Sequence, residues 1–370
     1  MSDGKKTIVV SAVNLRKGGT LTILRDCLQY MSQLAHDYRI VAIVHKRELC
    51  DYEGIEYIEM PEIINGWGKR LWCEYVTMNK ISKELSPVYL WLSLHDTSPR
   101  VEAERQAVYC QTSFPFYKWS FRDFRMDFKI PLFAMFTKYA YKVNIRSNRY
   151  LIVQQNWLRE GFSRLFGLDK DKFIVAPPQR KAVEVVPDSI QKHGYTFFYA
   201  STPDCHKNFE TLSEAARLLE DEIGKEKFKV VLTLSGEENK YSRWLYEKWG
   251  EVSSIDFAGF MSKGRLYGYY KAADCLVFPS KVETWGLPIT EFMEASGDKP
   301  MLLSDLPYAH ETSSGASKVS FFIPTDSVEL KNRMKELVQD NCVALAPVPE
   351  QYVEEPKADS WKDLFEILLS

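Results

Sequence analysis

The feature that most constrains the fold is an alternation of short β-branched runs with longer stretches of helical periodicity. Apolar runs such as TIVVSAV and YTFFYAS are followed by helical patterns such as LTILRDCLQYMSQLA and NFETLSEAARLLEDEIG. Short apolar runs separated by helices are typical of parallel strands that are covered on both faces. The sequence therefore predicts an α/β protein with doubly wound parallel sheets.

This alternation restarts once, after an irregular, proline-containing stretch at 173–194 that has the character of a linker. A chain of 370 residues also suits two domains of roughly 150–200 residues better than one core. We expect an N-terminal Rossmann-like domain over 1–185 and a C-terminal Rossmann-like domain over 190–355, facing a central cleft. The amphipathic segment 358–370 is expected to form a helix that packs back on the first domain.

Composition excludes several classes of protein. The formal net charge of −2 gives no general attraction to nucleic acid, so no nucleic-acid partner is expected. The seven cysteines form no CxxC pair or Cys/His cluster, which indicates reduced thiols in a cytoplasmic protein. No apolar run approaches the roughly 20 residues that a membrane span needs. We interpret TIVVSAV as a first strand and not as a signal peptide.

Two glutamates flank a turn in the stretch FPSKVETWGLPITEFMEAS, residues 278–296. A strand is predicted before the turn and a helix after it, with Pro288 near the first helical position and Glu291 in the first turn. Ligands of open α/β sheets bind at such carboxyl ends of strands, and the N-terminus of a helix suits a phosphate. Glu283 and Glu291 can accept hydrogen bonds from hydroxyl groups, so the pair suits a nucleotide sugar. On spacing alone, a helix-stabilising glutamate and a solvated loop glutamate explain the pair equally well.

The surrounding segments resemble the retaining glycosyltransferases of family 4, which have the GT-B fold. The E-x7-E motif of that family usually reads close to EGFGLPxxE, and here it reads ETWGLPITE. The resemblance continues at YASTPDCHKNFETLSEAARLL, at RYLIVQQNWLREGFSRLFGLDKDKFIVAPP and at NLRKGGT, in the family's order. It covers essentially the whole chain.

The resemblance implies roles for residues of the predicted second domain. Glu291 would hold the nucleotide ribose, Glu283 would contact the donor sugar, and Lys207 would neutralise the diphosphate leaving group. Backbone groups of the turn would cradle sugar and phosphate oxygens, namely those of Gly286, Leu287 and the neighbours of Pro288, which itself has no N–H donor.

The family usually pairs this lysine with an arginine several residues earlier, and here the preceding residues are ASTPDCH. Hydrogen bonds from Ser201 or Thr202, or a partial charge on His206, are the alternatives for that role. An ordinary surface lysine is the alternative interpretation of Lys207.

In the predicted first domain, Gly18 and Gly19 would form a loop that faces the diphosphate or the acceptor. Many family members carry a histidine after a strand like AVYC, where this chain has Gln111. His95 also follows a predicted strand, and we expect it either to line the cleft or to be a structural histidine. The family's front-face mechanism, in which the leaving phosphate helps to deprotonate the acceptor, needs no general base from the protein.

No metal and no other cofactor is expected. Asp169 and Asp171 form the only Asp-x-Asp pair, and they lie in a charged stretch that suits a solvated loop.

Residues 114–150 carry eight Lys or Arg against two Asp, with aromatic side chains between the charges. Two interpretations stay open. Such segments lie at membrane interfaces, which would suit a lipid-linked acceptor. Alternatively, the rings pack into the domain core while the basic side chains reach solvent.

The resemblance implies a retaining hexosyltransferase of bacterial cell-surface glycan biosynthesis, of the lipopolysaccharide O-antigen or capsule. The donor would be a GDP- or UDP-hexose, with mannose one candidate sugar, and the acceptor a polysaccharide or lipid-linked saccharide. The expected location is the cytoplasm, with peripheral contact to the cytoplasmic face of the inner membrane. The alternatives are a non-catalytic sugar-nucleotide-binding GT-B module and a GT-B phosphorylase or epimerase.

Overall fold

The computed structural model describes residues 4–64, 66–179, 185–192, 194–341 and 344–370. The chain divides into two compact units. The first unit comprises Met1–Thr112, Phe136–Arg180 and Val353–Ser370, and the second comprises Ser113–Met135 and Lys181–Tyr352. Part of the stretch predicted as a linker, residues 180–184 and 193, lies outside the described residues.

The strands are β1 (Lys6–Ala12), β2 (Tyr38–Val44), β3 (Ile55–Glu59), β4 (Val88–Ser93), β5 (Arg105–Tyr109), β6 (Tyr150–Val153), β7 (Phe173–Val175), β8 (Tyr195–Tyr199), β9 (Phe228–Leu232), β10 (Ile255–Phe257), β11 (Cys275–Phe278), β12 (Met301–Ser304) and β13 (Val319–Phe322). The α-helices are α1 (Gly18–Gln33), α2 (Trp67–Trp72), α3 (Met78–Glu84), α4 (Phe121–Met126), α5 (Lys129–Lys142), α6 (Asn156–Phe166), α7 (Phe209–Ile223), α8 (Lys240–Trp249), α9 (Lys263–Ala272), α10 (Leu287–Ser296), α11 (Pro307–Thr312), α12 (Ser327–Val338) and α13 (Trp361–Leu369).

The first unit contains a seven-stranded sheet in the order β3-β2-β1-β4-β5-β6-β7, and every neighbouring pair is parallel. Alternate residues of β1 enter opposite cores. Ile8 and Val10 belong to the core that includes Leu24 of α1, whereas Val9 packs in the core that contains Trp91. A sheet buried on both faces explains why its strands read as continuous apolar runs.

The C-terminal helix α13 packs on this first unit. Leu364, Phe365 and Leu368 are buried in its larger core, and the ring of Phe365 stacks on that of Tyr30 with 5.5 Å between centroids. The hydroxyl of Tyr89 donates to the carbonyl of Leu369 at 2.8 Å. The apolar stripe of the amphipathic helix is therefore covered by residues of the first sheet and of α1.

The second unit contains a six-stranded sheet in the order β10-β9-β8-β11-β12-β13, again with parallel neighbours throughout. In both sheets the strand order reverses once, between β1 and β4 in the first and between β8 and β11 in the second. Such a reversal creates the switch point at which doubly wound sheets bind ligands. The predicted class is confirmed: the protein consists of two Rossmann-like parallel-sheet domains. A cleft between them stays a prediction.

The sequence placed residues 113–135 in the first domain, whereas they group with the second unit. Side-chain contacts account for the difference: the ring of Phe114 meets His206, Arg122 pairs with Glu210, and Lys240 donates to the carbonyl of Arg125 at 2.6 Å. These partners are about 90 to 115 positions away along the chain, so local sequence patterns carry no sign of them.

Two further sequence expectations concern cysteines and membrane spans. The six described cysteines form no disulfide, and Cys342 lies outside the described residues. Among the helices of the described ranges, none combines the length and the apolar character needed to cross a bilayer.

Candidate active site

Lys207 and Glu283 meet at the switch point of the second sheet. Lys207 ends a 3-10 helix in the loop after β8, and Glu283 lies in the loop after β11. Because β8 and β11 are adjacent parallel strands, their following loops emerge side by side at one edge of the sheet. The Nζ atom of Lys207 lies 2.6 Å from Oε1 of Glu283, and the two side chains are only 16% and 12% exposed.

Buried hydrogen bonds fix the loop that carries Lys207. The hydroxyl of Tyr199 donates to the carbonyl of Lys207 at 2.7 Å, and burial, reinforced by the charge of Glu283, raises the pKa of Tyr199 well above its usual value. Asn208 adopts a left-handed conformation, and its amide donates to the carbonyls of Pro279 and Pro324 at 2.8 and 2.7 Å. The loops after β8, β11 and β13 are thereby joined around one asparagine.

The turn between the glutamates requires its glycine. Gly286 has a φ of 93°, a left-handed conformation that disfavours other residues, and a Cβ there would lie 3.4 Å from Cδ1 of Ile289. Helix α10 then begins at Leu287, with Pro288 as its second residue. Pro288 has no N–H, and the N–H of Ile289 donates to the carbonyl of Gly286 at 2.9 Å, so the N–H of Leu287 is the donor of this first turn that lies next to the glycine.

Glu291 is the fifth residue of α10, and the first turn contains no acidic side chain. The expectation of Glu291 within the first turn is therefore wrong, because a turn of about 3.6 residues that begins at Leu287 ends before Glu291. Its Oε2 atom accepts a hydrogen bond from the hydroxyl of Tyr270 at 3.0 Å. Burial raises the pKa of Tyr270 well above its usual value, so the hydroxyl remains a donor at neutral pH.

Ser201, Thr202 and His206 were the candidates for the role of the arginine that this chain lacks, and Ser201 and Thr202 bond to nearby residues. The backbone N–H of Ser201 donates to Thr233, and the hydroxyl of Thr202 donates to Asp204 at 2.8 Å. Burial, with the charges of Lys207 and Lys281, lowers the pKa of His206 well below its usual value. His206 is therefore neutral and does not supply the partial positive charge considered from the sequence.

Two charged residues that sequence reasoning missed lie beside this loop. Lys281 donates to Oε1 of Glu210 at 2.9 Å; the side chain of Glu210 is buried and that of Lys281 is 12% exposed. Glu210 also accepts from Arg122 and from the hydroxyl of Tyr241. Lys281 stands two residues before Glu283, so its position after a predicted strand was a usable signal. The role of Glu210 could not be predicted from the sequence, because an acid in the first turn of a helix usually only stabilises that helix.

In the first unit, His95 follows β4 at the switch point of that sheet. Its Nδ1 atom lies 3.0 Å from the carbonyl of Ser11, and its Nε2 atom contacts the carboxylate of Glu74. His95 and Glu74 are 2% and 1% exposed. With both ring nitrogens bonded inside the unit, the geometry favours the structural interpretation of His95.

Gln111 lies next to His95 but bonds to its neighbours. Its backbone N–H donates to Oδ1 of Asp96 at 2.5 Å, and its amide donates to the carbonyl of Leu94 at 2.6 Å. Burial raises the pKa of Asp96 to about 6, and the N–H of Gln111 opposes that shift. These contacts hold Gln111 at the end of β5.

Gly18 and Gly19 are exposed and form the first two residues of α1. Gly18 has a φ of 62°, and a Cβ at either glycine would meet no atom within 4 Å. Asp169 and Asp171 are also exposed, Asp169 just before the 3-10 helix Lys170–Lys172 and Asp171 as its middle residue. The predicted solvated position of the two aspartates agrees with this exposure.

Residues 114–150 place many large apolar side chains at the surface. Phe128, Leu132, Phe136, Tyr139 and Val143 are all exposed, and their spacing of three to four residues puts them on one face of α5 and its flanks. Phe121 on α4 is 78% exposed. Basic residues are exposed in the same stretch: Lys118, Arg125, Lys129, Lys142, Arg146 and Arg149. Tyr117 and Tyr141 of the same stretch are buried, so some of its rings pack in the core while others lie at the surface, and contact with a membrane stays a prediction.

Comparison with known proteins supports one class of enzyme. Residues 186–357 match the model of the family described as glycosyl transferases group 1. The overall architecture is the GT-B fold, and the family match together with this fold supports a glycosyltransferase. No curated protein matches the chain in sequence.

Several solved structures share the fold at low identity. Sucrose-phosphate synthase from Thermosynechococcus elongatus has 14% identity and a TM-score of 0.63, with 92% of this chain and 91% of that chain covered. WaaG, a glycosyltransferase involved in lipopolysaccharide biosynthesis, has 13% identity and a TM-score of 0.62, with 90% of each chain covered. Anabaena Alr3699/HepE in complex with UDP and glucose has 13% identity and a TM-score of 0.61, with 92% of each chain covered.

Proposed function

We propose that this protein is a retaining glycosyltransferase that transfers a hexose from a nucleotide-sugar donor to a saccharide acceptor. The observation that carries the proposal is the contact between Lys207 and Glu283 at the switch point of the second sheet. This contact brings together a cation for a diphosphate and an acceptor for sugar hydroxyls. Both residues lie within the range matched by the group 1 glycosyl transferases.

The chemistry follows from where charge develops. When the glycosidic bond breaks, negative charge grows on the diphosphate leaving group, and a fixed ammonium stabilises that charge in the transition state. Lys207 supplies the ammonium, and the N-terminus of α10 supplies N–H donors. Glu283 accepts hydrogen bonds from the donor sugar, and Glu291, oriented by Tyr270, accepts them from the ribose.

The stereochemical proposal is retention by a front-face route. The departing phosphate accepts the proton of the attacking hydroxyl while the new glycosidic bond forms on the same face of the sugar. The buried position of His95, with both ring nitrogens bonded, fits a mechanism in which the protein supplies no general base. The positive groups of the second unit take the role that a metal ion has in other transferases.

Two observations support the proposed donor and acceptor: the solved structures of similar fold and the exposed side chains of residues 114–150. HepE was solved with UDP-glucose, and WaaG is involved in lipopolysaccharide biosynthesis. We propose a UDP- or GDP-hexose donor, with glucose or mannose as candidates, and a saccharide acceptor of a bacterial surface glycan. The exposed apolar and basic side chains of residues 114–150 suit an anionic membrane that carries a lipid-linked acceptor.

A ligand panel followed by a transfer assay tests the proposal. UDP-, GDP- and dTDP-sugars are screened by thermal shift, because a ligand that binds the native state stabilises it by RT ln(1 + [L]/Kd), or about 2.7 kcal/mol at 100-fold excess over Kd. The stabilising donor, radiolabelled in its sugar, is then incubated with lipid-linked saccharides. We expect stabilisation by one base class and release of the nucleoside diphosphate. Stabilisation without hydrolysis or transfer would identify a non-catalytic module, and the absence of any stabilisation would contradict the proposal.

A further inference from the structure

Residues 113–135 join the second unit beside the loop that carries Lys207. The rings of Phe114 and His206 meet edge to face with 5.0 Å between centroids, and Arg122 on α4 pairs with Glu210. His206 immediately precedes Lys207, and Glu210 follows it by three residues. A segment that is remote in sequence therefore contacts the proposed phosphate-binding loop on both sides of its lysine.

One buried carboxylate is shared between two cations in this cluster. Oε1 of Glu210 accepts from Arg122 and from Lys281, and Oε2 accepts from Tyr241. The backbone N–H of Lys281 donates to the carbonyl of His206 at 2.8 Å, so Lys281 adjoins the same loop. The guanidinium of Arg122 also lies over the ring of Trp244, 5.7 Å from its centroid, which fixes its position.

The charges of this cluster balance. Arg122, Lys207 and Lys281 are three cations, and Glu210, Glu283 and the buried Asp123, whose charge acts beside that of Glu210, are three carboxylates, so the sum is zero. Without Arg122 one negative charge is in excess, and Glu210 is neutralised by Lys281 alone. Arg122 thus determines whether an anionic ligand at this loop meets an excess of negative charge.

We propose that Arg122 is a positioning residue of the diphosphate site, which acts by sharing the charge of Glu210 and so releasing that of Lys281. This inference rests on the proposed function, since it assumes that a nucleoside diphosphate binds at Lys207. Arg122 acts through Glu210 and the loop. Arg122 therefore strengthens the binding of ligands that carry phosphates and leaves the binding of the uncharged nucleoside unchanged.

The test compares charged and uncharged ligands by calorimetry. UDP and uridine, with GDP and guanosine in parallel, are titrated into wild type, Arg122→Met, Arg122→Lys and the control Arg217→Met. Arg217 is a matched control because it lies in the same unit, is paired with Glu214 and has 39% of its side chain exposed, against 40% for Arg122. We expect Arg122→Met to weaken diphosphate binding about tenfold, Arg122→Lys to weaken it less, and nucleoside binding to be unchanged.

A second variant should change the affinity for the diphosphate in the opposite direction. Glu210→Gln removes the shared carboxylate, so it should tighten diphosphate binding, and Arg122→Met added to Glu210→Gln should then have little further effect. Equal weakening of UDP and uridine by Arg122→Met, or wild-type binding of UDP, would overturn the inference. Unchanged or weaker binding of the diphosphate by Glu210→Gln would also overturn the inference. This measurement tests the inference even if Arg122→Met does not fold. Failure of the wild type to bind either diphosphate would instead count against the proposed function.

Discussion

Lys207 Nζ lies 2.6 Å from Glu283 Oε1, so the proposed phosphate-binding cation and the proposed sugar-binding carboxylate neutralise one another in the structure. A diphosphate at this loop competes with Glu283 for the ammonium and is repelled by its carboxylate. Glu283 should therefore weaken the binding of the nucleotide and promote the reaction of the sugar.

Replacement of Glu283 by glutamine should separate these effects. Glu283→Gln releases Lys207 and removes a negative charge, so UDP or GDP should bind more tightly than to wild type, by several-fold. The same variant should lower kcat, because a charged hydrogen bond to the reacting sugar is worth about 1.5–3 kcal/mol. Calorimetry and steady-state kinetics measure the two quantities. Glu247→Gln, exposed on α8 in the same unit, is the control, and weaker diphosphate binding by Glu283→Gln would contradict the competition.

Loss of Glu291 should affect the nucleotide more than the turnover. Glu291→Ala removes the acceptor proposed for the ribose hydroxyls and leaves the Tyr270 hydroxyl without its partner. We expect nucleotide affinity to fall by about 1.5–3 kcal/mol, with a smaller change in kcat at saturating donor. Glu294→Ala, exposed one turn later on the same helix, is the control. Equal affinities of the two variants for the nucleotide would place Glu291 outside the site.

Transfer should not depend on a divalent metal ion. Lys207 and the first turn of α10 are proposed to stabilise the charge of the leaving diphosphate, so EDTA should leave the initial rate of transfer unchanged. The measurement compares rates in EDTA with rates after addition of Mg²⁺ or Mn²⁺. A rate that disappears in EDTA and returns with metal would contradict metal independence. Asp169 and Asp171 would then be candidate ligands of the metal ion.

Residues 114–150 should bind anionic membranes in a salt-dependent manner. Each Lys or Arg near an anionic surface contributes about 1 kcal/mol, and the Debye length falls from about 10 Å at 0.1 M to about 3 Å at 1 M salt. Co-sedimentation with liposomes, with and without anionic lipid, should show binding at low salt.

The matched variant for that measurement changes Lys118, Arg125, Lys129 and Lys142 to glutamine. Arg122 is retained because it pairs with Glu210 inside the second unit. This variant should lose most of the sedimentation, and a Phe121→Ser, Phe136→Ser variant should lose the part that persists at high salt. If wild type stays in the supernatant at low salt, the exposed rings serve another partner.

The buried, neutral state of His206 predicts loss of stability in acid. Its pKa is lowered in the folded protein, so below the ordinary value of about 6.5 the unfolded chain binds a proton that the native state does not. The free energy of unfolding therefore falls as pH decreases from 7 towards 5, with a limiting slope of about 1.4 kcal/mol per pH unit from this group. Urea denaturation of wild type and His206→Leu at several pH values measures the difference. Parallel pH profiles of the two proteins would show that His206 does not titrate in this way.

The sequence identified those parts of the site that are close together along the chain. The turn ETWGLPITE combines a glycine in a left-handed conformation, a proline at the second helical position and two acids, all within nine residues. Lys207 was identified from the motif around it, and its contact with Glu283 follows only when β8 and β11 are neighbours. Helix α10 was predicted with Pro288 near its first position, as the structure has it, and only the placement of Glu291 within the first turn was wrong.

The sequence by itself determined the α/β class, the two parallel sheets and the acid pair, because the periodicity of strands and helices and the geometry of a turn are encoded over a few adjacent residues. Only the tertiary structure decided that residues 113–135 join the second unit, that His95 is bonded to Glu74 and Ser11, and that Glu210 is shared by Arg122 and Lys281. Arg122 and Glu210 are 88 positions apart, and Lys281 is 71 from Glu210. Such contacts depend on the order of the strands and on the burial of charge, which no local pattern contains.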